Sequence, residues 1–370
     1  MKTGRKIFMI MNFPVFNLFK QGRFMSNKPN ITTINRTWTT ESGFDFSSID
    51  IAWNSWGTLN ENRDNVILIC HALTGNSNAE DWFSGLFEPD GIIDPDKHFV
   101  LCINNLGSCY GSTSPTSISP ISGKPFQADF PKITIRDVVL HQQLLLDFLE
   151  IKGIEMAIGG SMGGMVALEF GLMDNRIRSL ALIAMGKSHS PWAIGISHAQ
   201  RQAIYADENW KDGFYDLDLP PKKGLSAARS LAMITYRSAQ NYEQKFGRGF
   251  NESNSRFEVE SYLEYQGEKL QNRFDANSYI TLTEAMDSHD VSRNRGSFNE
   301  VLSSLTKPCL IIGINSDLLY PITEQKELAE LIPNSAFKQI TSQYGHDAFL
   351  IEFEQINQHL KTFYHPVLQS

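Results

Sequence analysis

The sequence predicts an α/β fold: a mostly parallel sheet with helices on both faces, interrupted late in the chain by a block of helices. Three observations carry this. The short continuous apolar runs at 66–70, 99–103, 180–184 and 309–313 have the composition of strands covered on both faces. Between them lie segments with helical spacing, the alternation of a wound sheet. Finally, Gly159-Gly160-Ser161-Met162-Gly163-Gly164 follows the apolar run Met156-Ala157-Ile158 and leads into Met165-Val166-Ala167-Leu168, where a buried strand turns sharply into a helix.

With 370 residues and 41% hydrophobic content, the chain has enough apolar material for one large domain plus a sizeable insertion. A net charge of −8 without a basic run argues against nucleic acid or anionic lipid as a partner, so an anionic substrate must be met by a local site. The four cysteines, Cys70, Cys102, Cys109 and Cys309, lack metal-ligand spacing, and three lie inside apolar runs. They read as reduced thiols of a cytoplasmic protein.

Residues 1–34 read as a flexible N-terminal extension. Its first thirty residues are basic, and Asn12, Pro14 and Asn17 break up the apolar stretch a signal peptide needs; Met25 is an alternative start. No segment approaches the length of a membrane-spanning helix. From 37 to 59, alternation as in Ile49-Asp50-Ile51-Ala52-Trp53 predicts an antiparallel strand pair opening the sheet. Strands at 66–70 and 99–103 follow. Val138, Val139, Leu144, Leu145, Phe148 and Leu149 then recur at helical spacing before the strand that ends at Gly160. After the strand at 180–184, residues 187–297 carry helical signals and no convincing buried strand. The strand code resumes at 309, so 187–297 is expected to be a helical lid inserted into a core made of 35–186 and 298–370.

The pattern Gly-x-Ser-x-Gly makes Ser161 the candidate nucleophile. So tight a turn should leave its Oγ exposed and aim the free N–H groups of the following helix at an oxyanion. Such a serine needs a base and an orienting carboxylate. Asp317 follows the strand beginning at Cys309, and His346 follows the predicted strand 336–340; both sit on loops at strand carboxyl ends, where ligands bind in wound sheets. The order Ser161, Asp317, His346 is that of the α/β-hydrolase fold. Met162 and Leu73 are expected to supply backbone N–H donors to the oxyanion hole, while His71 reads as a turn histidine that packs its loop.

With these residues placed, the chain resembles the homoserine O-acetyltransferase family over about residues 35–362. The resemblance rests on 71–75, Asn105-Leu106-Gly107-Ser108-Cys109-Tyr110-Gly111-Ser112-Thr113, Asp129-Phe130-Pro131, Thr134-Ile135-Arg136-Asp137 and 159–164. It continues through Tyr262-Leu263-Glu264-Tyr265-Gln266-Gly267, Arg273-Phe274-Asp275-Ala276-Asn277-Ser278-Tyr279, Glu284-Ala285-Met286-Asp287 and Tyr344-Gly345-His346-Asp347-Ala348-Phe349-Leu350.

The resemblance implies acyl transfer from acetyl-CoA to the hydroxyl of L-homoserine, in methionine synthesis. It also implies a homodimer joined through the lid helices, and no metal or prosthetic group, acyl-CoA being a co-substrate. It gives Ser161, Asp317 and His346 as the triad, and Arg229 and Asp347 as acceptor-binding residues. A guanidinium suits a carboxylate and a carboxylate suits an ammonium, with Arg237 a competing candidate. The family usually has Gly where Ser114 stands and commonly Asn-Glu where Ser197-His198 stand, both near the presumed substrate channel. Succinyl-CoA as donor, L-serine as acceptor, or water as in a serine hydrolase would use the same triad.

Overall fold

The computed structural model describes residues 28–253 and 255–367. Eight strands form one sheet: β1 (Asn30–Ile34), β2 (Ile49–Trp56), β3 (Val66–Cys70), β4 (Phe99–Ile103), β5 (Ile154–Gly160), β6 (Leu180–Ile183), β7 (Cys309–Ile314) and β8 (Ser335–Ile340). Their order is β1-β2-β4-β3-β5-β6-β7-β8. The β1–β2 and β2–β4 pairs are antiparallel and all the others parallel.

The continuous apolar runs have the expected cause. Alternate residues of one strand point to opposite faces, and both faces are covered. Val66, Leu68, Leu101 and Ala157 join one buried cluster with Val138 and Leu145 of α1 (Ile135–Phe148) and Met165 and Leu168 of α2 (Met162–Met173). Ile67, Ile69, Val100, Ile158 and Ile312 join another, on the other face, with Phe83 and Leu86 and with Ile356 and Leu360 of the last helix, Phe353–Val367.

Two expectations need correcting at the start of the chain. Asn30–Ile34, assigned to a flexible extension, is an edge strand whose register runs from Asn30 opposite Trp53 to Ile34 opposite Ile49. The five residues are too short and too exposed to show a buried pattern; the pairing with β2 makes them a strand. The opening antiparallel pair is therefore β1 with β2. Within 37–59, only a short ribbon of Trp38–Thr39 and Asp45–Phe46 accompanies β2. The expectation for residues 1–27 lies outside the described residues.

Between β6 and β7 run α3 (Pro191–Tyr205), α4 (Lys222–Tyr236), α5 (Ala239–Phe246), α6 (Glu258–Gln271), α7 (Ala276–Asp287) and α8 (Phe298–Ser303). Among the described residues this stretch adds no strand to the main sheet; its only ribbon, Phe250–Asn251 with Arg256–Phe257, is exposed. Because Leu180 pairs directly with Cys309, the sheet continues as if the helices were absent.

Candidate active site

The carboxyl ends of β3, β5, β7 and β8 lead into the loops that carry Leu73, Ser161, Asp317 and His346 respectively. Ser161 sits on the turn from β5 to α2 at φ 56° and ψ −128°, a region that L side chains rarely occupy. Its N–H donates to Ile183 O at 2.9 Å, which holds the strained residue against β6. The flanking glycines are steric necessities. A Cβ on Gly159 would stand 2.2 Å from Gly163 O, and one on Gly163 would stand 2.0 Å from Cys70 O. The second approach presses the first turn of α2 onto the end of β3, next to the 71–75 loop.

That closeness puts Met162 and Leu73 on adjoining backbone. Met162 is the first residue of α2, so its N–H has no intrahelical acceptor. Among the described residues, neither its N–H nor that of Leu73 donates a hydrogen bond. The Leu73 turn is closed by Gly75 N–H donating to Ala72 O at 2.9 Å and gripped by Arg273, which donates to Thr74 O at 2.8 Å and to the Tyr110 hydroxyl at 2.5 Å. His71 is fully buried; its Nε2 accepts from Asn105 N at 3.0 Å, and burial pulls its pKa down to about 4. A neutral imidazole tying two loops together matches the packing role expected of it.

His346 Nδ1 lies 2.7 Å from Asp317 Oδ2, and both side chains are buried. The other carboxylate oxygen, Oδ1, accepts from the N–H groups of Leu319 at 2.8 Å and Tyr320 at 2.9 Å. Asp317 is thereby fixed in rotation, and an acceptor-only carboxylate makes Nδ1 the donor. The lone pair is left on Nε2. Three rings enclose the imidazole: Tyr320 at 5.3 Å, Phe349 at 5.4 Å and Tyr236 at 5.6 Å between centroids. Phe349 also touches the elbow, since a Cβ on Gly160 would come within 2.5 Å of its ring.

The exposed Oγ expected of Ser161 is not what the structure has, since the residue is only 6% exposed. The inserted helices reach the neighbouring base. Tyr236 ends α4 and lies on His346, and the chain after it passes so close to Gly345 (φ 63°) that a Cβ there would meet Ser238 N at 2.8 Å.

Arg229, also on α4, has its guanidinium carbon 5.4 Å from the Tyr236 ring centroid and no carboxylate partner among the described residues. Asp347 does have a partner, with Arg237 Nε 2.9 Å from its Oδ2 and both side chains largely buried. That nitrogen makes no directed hydrogen bond, so the contact is ionic rather than a well-aligned N–H···O. Arg237, weighed in the sequence as a rival carboxylate binder, is thus engaged with Asp347, while Arg229 is not engaged with any acid. Neither the Arg237–Asp347 pair nor the ring of Tyr236 is visible in the sequence, because the partners are about a hundred residues apart. Tyr320 had a fainter signal, three residues past Asp317 on the same loop. Ser114, a departure from the family pattern, heads a turn: its Oγ lies 2.9 Å from Thr116 Oγ1, and its carbonyl accepts from Ser117 N–H at 2.9 Å. Among the described residues, no group of three or more His, Cys, Asp or Glu could hold a metal ion.

Residues 65–353 match the model of the alpha/beta hydrolase fold family. The homoserine O-acetyltransferase of Chlorobium chlorochromatii (strain CaD3) is 50% identical to this chain over 335 residues, which are 90% of this chain and 94% of that protein. Among solved structures, the homoserine O-acetyltransferase from Bacillus anthracis superposes with a TM-score of 0.85 at 25% identity, covering 91% of this chain and 97% of that one. Esterase E22 superposes almost as well, with a TM-score of 0.84 at 24% identity over 91% and 99% of the two chains, and that likeness speaks for the fold alone.

Proposed function

We propose that this chain, which belongs to the homoserine O-acetyltransferase family of the alpha/beta hydrolase fold, transfers the acetyl group of acetyl-CoA to the hydroxyl of L-homoserine, a step of methionine biosynthesis. Ser161 is the nucleophile, His346 the base and Asp317 its orienter. Ser161 Oγ attacks the thioester carbonyl as its proton passes to His346 Nε2, and the oxyanion is held by the Leu73 and Met162 N–H groups. The C–S bond breaks, and the departing thiolate takes the proton from His346. Homoserine then gives its hydroxyl proton to His346 and attacks acetyl-Ser161; collapse releases the ester and returns the proton to Ser161. No metal enters this scheme.

The fold is shared with an esterase, so the choice of transfer over hydrolysis rests on the acceptor. The observation that carries the reading is Arg229, a cation without an acid partner among the described residues, set on the same Tyr236 ring that packs on His346. A guanidinium there suits a carboxylate held beside the base, and Asp347, next to His346 in sequence, suits the ammonium of the same amino acid, sharing its carboxylate between that ammonium and Arg237. Holding the hydroxyl at high effective concentration in a covered site lets it outcompete water.

In the same reading, residues 187–297 form the lid. Their exposed apolar side chains Leu231, Ile234, Phe250 and Phe257 support a dimer joined through it. The free thiols, mostly buried, support a cytoplasmic site, and no helix among the described residues is long and apolar enough to cross a membrane. Following CoA-thiol release from acetyl-CoA with and without homoserine tests the proposal. Release that rises with homoserine and yields O-acetylhomoserine is expected. Equal release without homoserine would make the protein a thioesterase, and stronger release from succinyl-CoA would change the donor.

A further inference from the structure

A cavity of about 310 Å³ opens beside Asp347 and is lined from two sides. The sheet domain gives Asp81, Trp82, Ser84, Leu350, Ile351 and Phe353; the inserted helices give Arg237, Lys245, Tyr262, Tyr265, Gln266 and Lys269. In a chain of net charge −8, three cations against two carboxylates is a local reversal of sign. The two acids are engaged, Asp347 by Arg237 at 2.9 Å and Asp81 by Asn78 Nδ2 at 2.7 Å. The cations are set on aromatic faces, Lys245 Nζ 4.2 Å from the Tyr262 centroid and Lys269 Nζ 5.4 Å from that of Tyr265. Partial burial of the stem and the neighbouring Arg237 charge pull the Lys245 pKa down to about 8.

We propose that this cavity holds the phosphate-bearing nucleotide end of the acyl-CoA donor, with Lys245 and Lys269 on the phosphates and the Trp82 and Tyr265 rings available to the adenine. The inference rests on the acyl-transfer reading above, and it adds where the donor's non-reacting end is held. Three features point to this ligand rather than to the small acceptor. The cavity's lining includes Asp347, the chain neighbour of His346, but none of Ser161, Asp317 and His346; it concentrates positive charge, and it offers ring surface that an amino acid does not use. Anion binding also relieves the repulsion between Lys245 and Arg237.

The test compares two donors: acetyl-CoA, and S-acetyl-N-acetylcysteamine, which carries the thioester without a nucleotide. Lys245→Ala/Lys269→Ala is expected to raise the acetyl-CoA KM by about 10- to 30-fold, less than two fully buried charge contacts because both lysines reach solvent. The homoserine KM and the kcat/KM for the truncated donor should move less than twofold. Adenosine 3′,5′-bisphosphate should inhibit the wild type competitively against acetyl-CoA and lose that inhibition in the double variant. An unchanged acetyl-CoA KM, or an equal loss with both donors, overturns the assignment while leaving acyl transfer intact. A folded wild type that turns over neither donor defeats the acyl-transfer reading, and this inference with it.

Discussion

Exchanging Asp317 for Asn replaces one carboxylate oxygen by an amide nitrogen, and the hydrogen bonds around it decide where that nitrogen goes. One oxygen accepts two backbone N–H groups, from Leu319 and Tyr320, and the other accepts only His346 Nδ1. The amide oxygen stays with the two backbone donors, because turning it away would set an NH₂ against both. The NH₂ then faces His346 and forces Nδ1 to accept. Nε2 now carries the hydrogen and has no lone pair for the Ser161 proton. The wrong tautomer of a triad histidine costs about 10⁴ in kcat, or about 5.5 kcal/mol of barrier. Stability changes little, by about 1 kcal/mol, since the backbone donors keep their acceptor. The assay is single-turnover release of CoA thiol at pH 7, with thermal unfolding as the control. A folded Asp317→Asn protein that keeps more than about a tenth of the wild-type rate would refute the tautomer argument and the place of Asp317 in the relay.

Other predictions follow from the same geometry. Ser161→Ala should cut kcat by about 10⁴ to 10⁶, whereas Ser161→Gly, equally inactive, should unfold at a higher temperature than Ser161→Ala because φ 56° costs any residue with a Cβ about 1 kcal/mol or more; equal melting temperatures would count against strain at the elbow. Arg229→Ala should raise the homoserine KM about 10- to 100-fold and leave CoA release in the first half-reaction nearly unchanged. The reverse pattern would move the carboxylate site elsewhere. Mild acid should destabilise the fold through its buried histidines. Burial pulls the pKa values of His71 and His141 down to about 4 and that of His289 to about 3. Between pH 6.5 and 5, therefore, only the unfolded chain takes up these protons. Stability is full above about 6.5 and falls by about 5 kcal/mol in total by pH 5; a urea midpoint that does not move over that range would contradict it.

The parts of this molecule that were legible in the sequence are those whose neighbours in space are also neighbours along the chain. Val66–Cys70 and Cys309–Ile314 announce buried strands because every residue of each is covered, and the elbow is legible because Gly159, Ser161 and Gly163 meet within one turn. Asp317 and His346 were found through the strands they follow. The contact of Arg237 with Asp347, the Tyr236 ring on His346 and the grip of Arg273 on Thr74 depend on how the inserted helices settle on the sheet, and no periodicity encodes that. Asn30–Ile34 was lost for a related reason: an exposed edge strand owes its form to the strand beside it.

The direct pairing of Leu180–Ile183 with Cys309–Ile312 has a consequence for how such a protein changes over time. To the sheet, everything from Ala184 to Pro308 is one loop, and the entropy of closing a loop grows only with the logarithm of its length, about 0.6 kcal/mol per doubling. A change of length there adds little closure cost to the ladder that carries Ser161, although Tyr279, Leu282 and Ala285 of that segment share the sheet's own buried cluster. Under the proposed roles the reacting atoms and Asp347 sit on loops of the ladder, and Arg229 alone of the acceptor contacts sits on the segment whose length is cheap to change. One sheet can then present a different cation to the same base through changes confined to that segment.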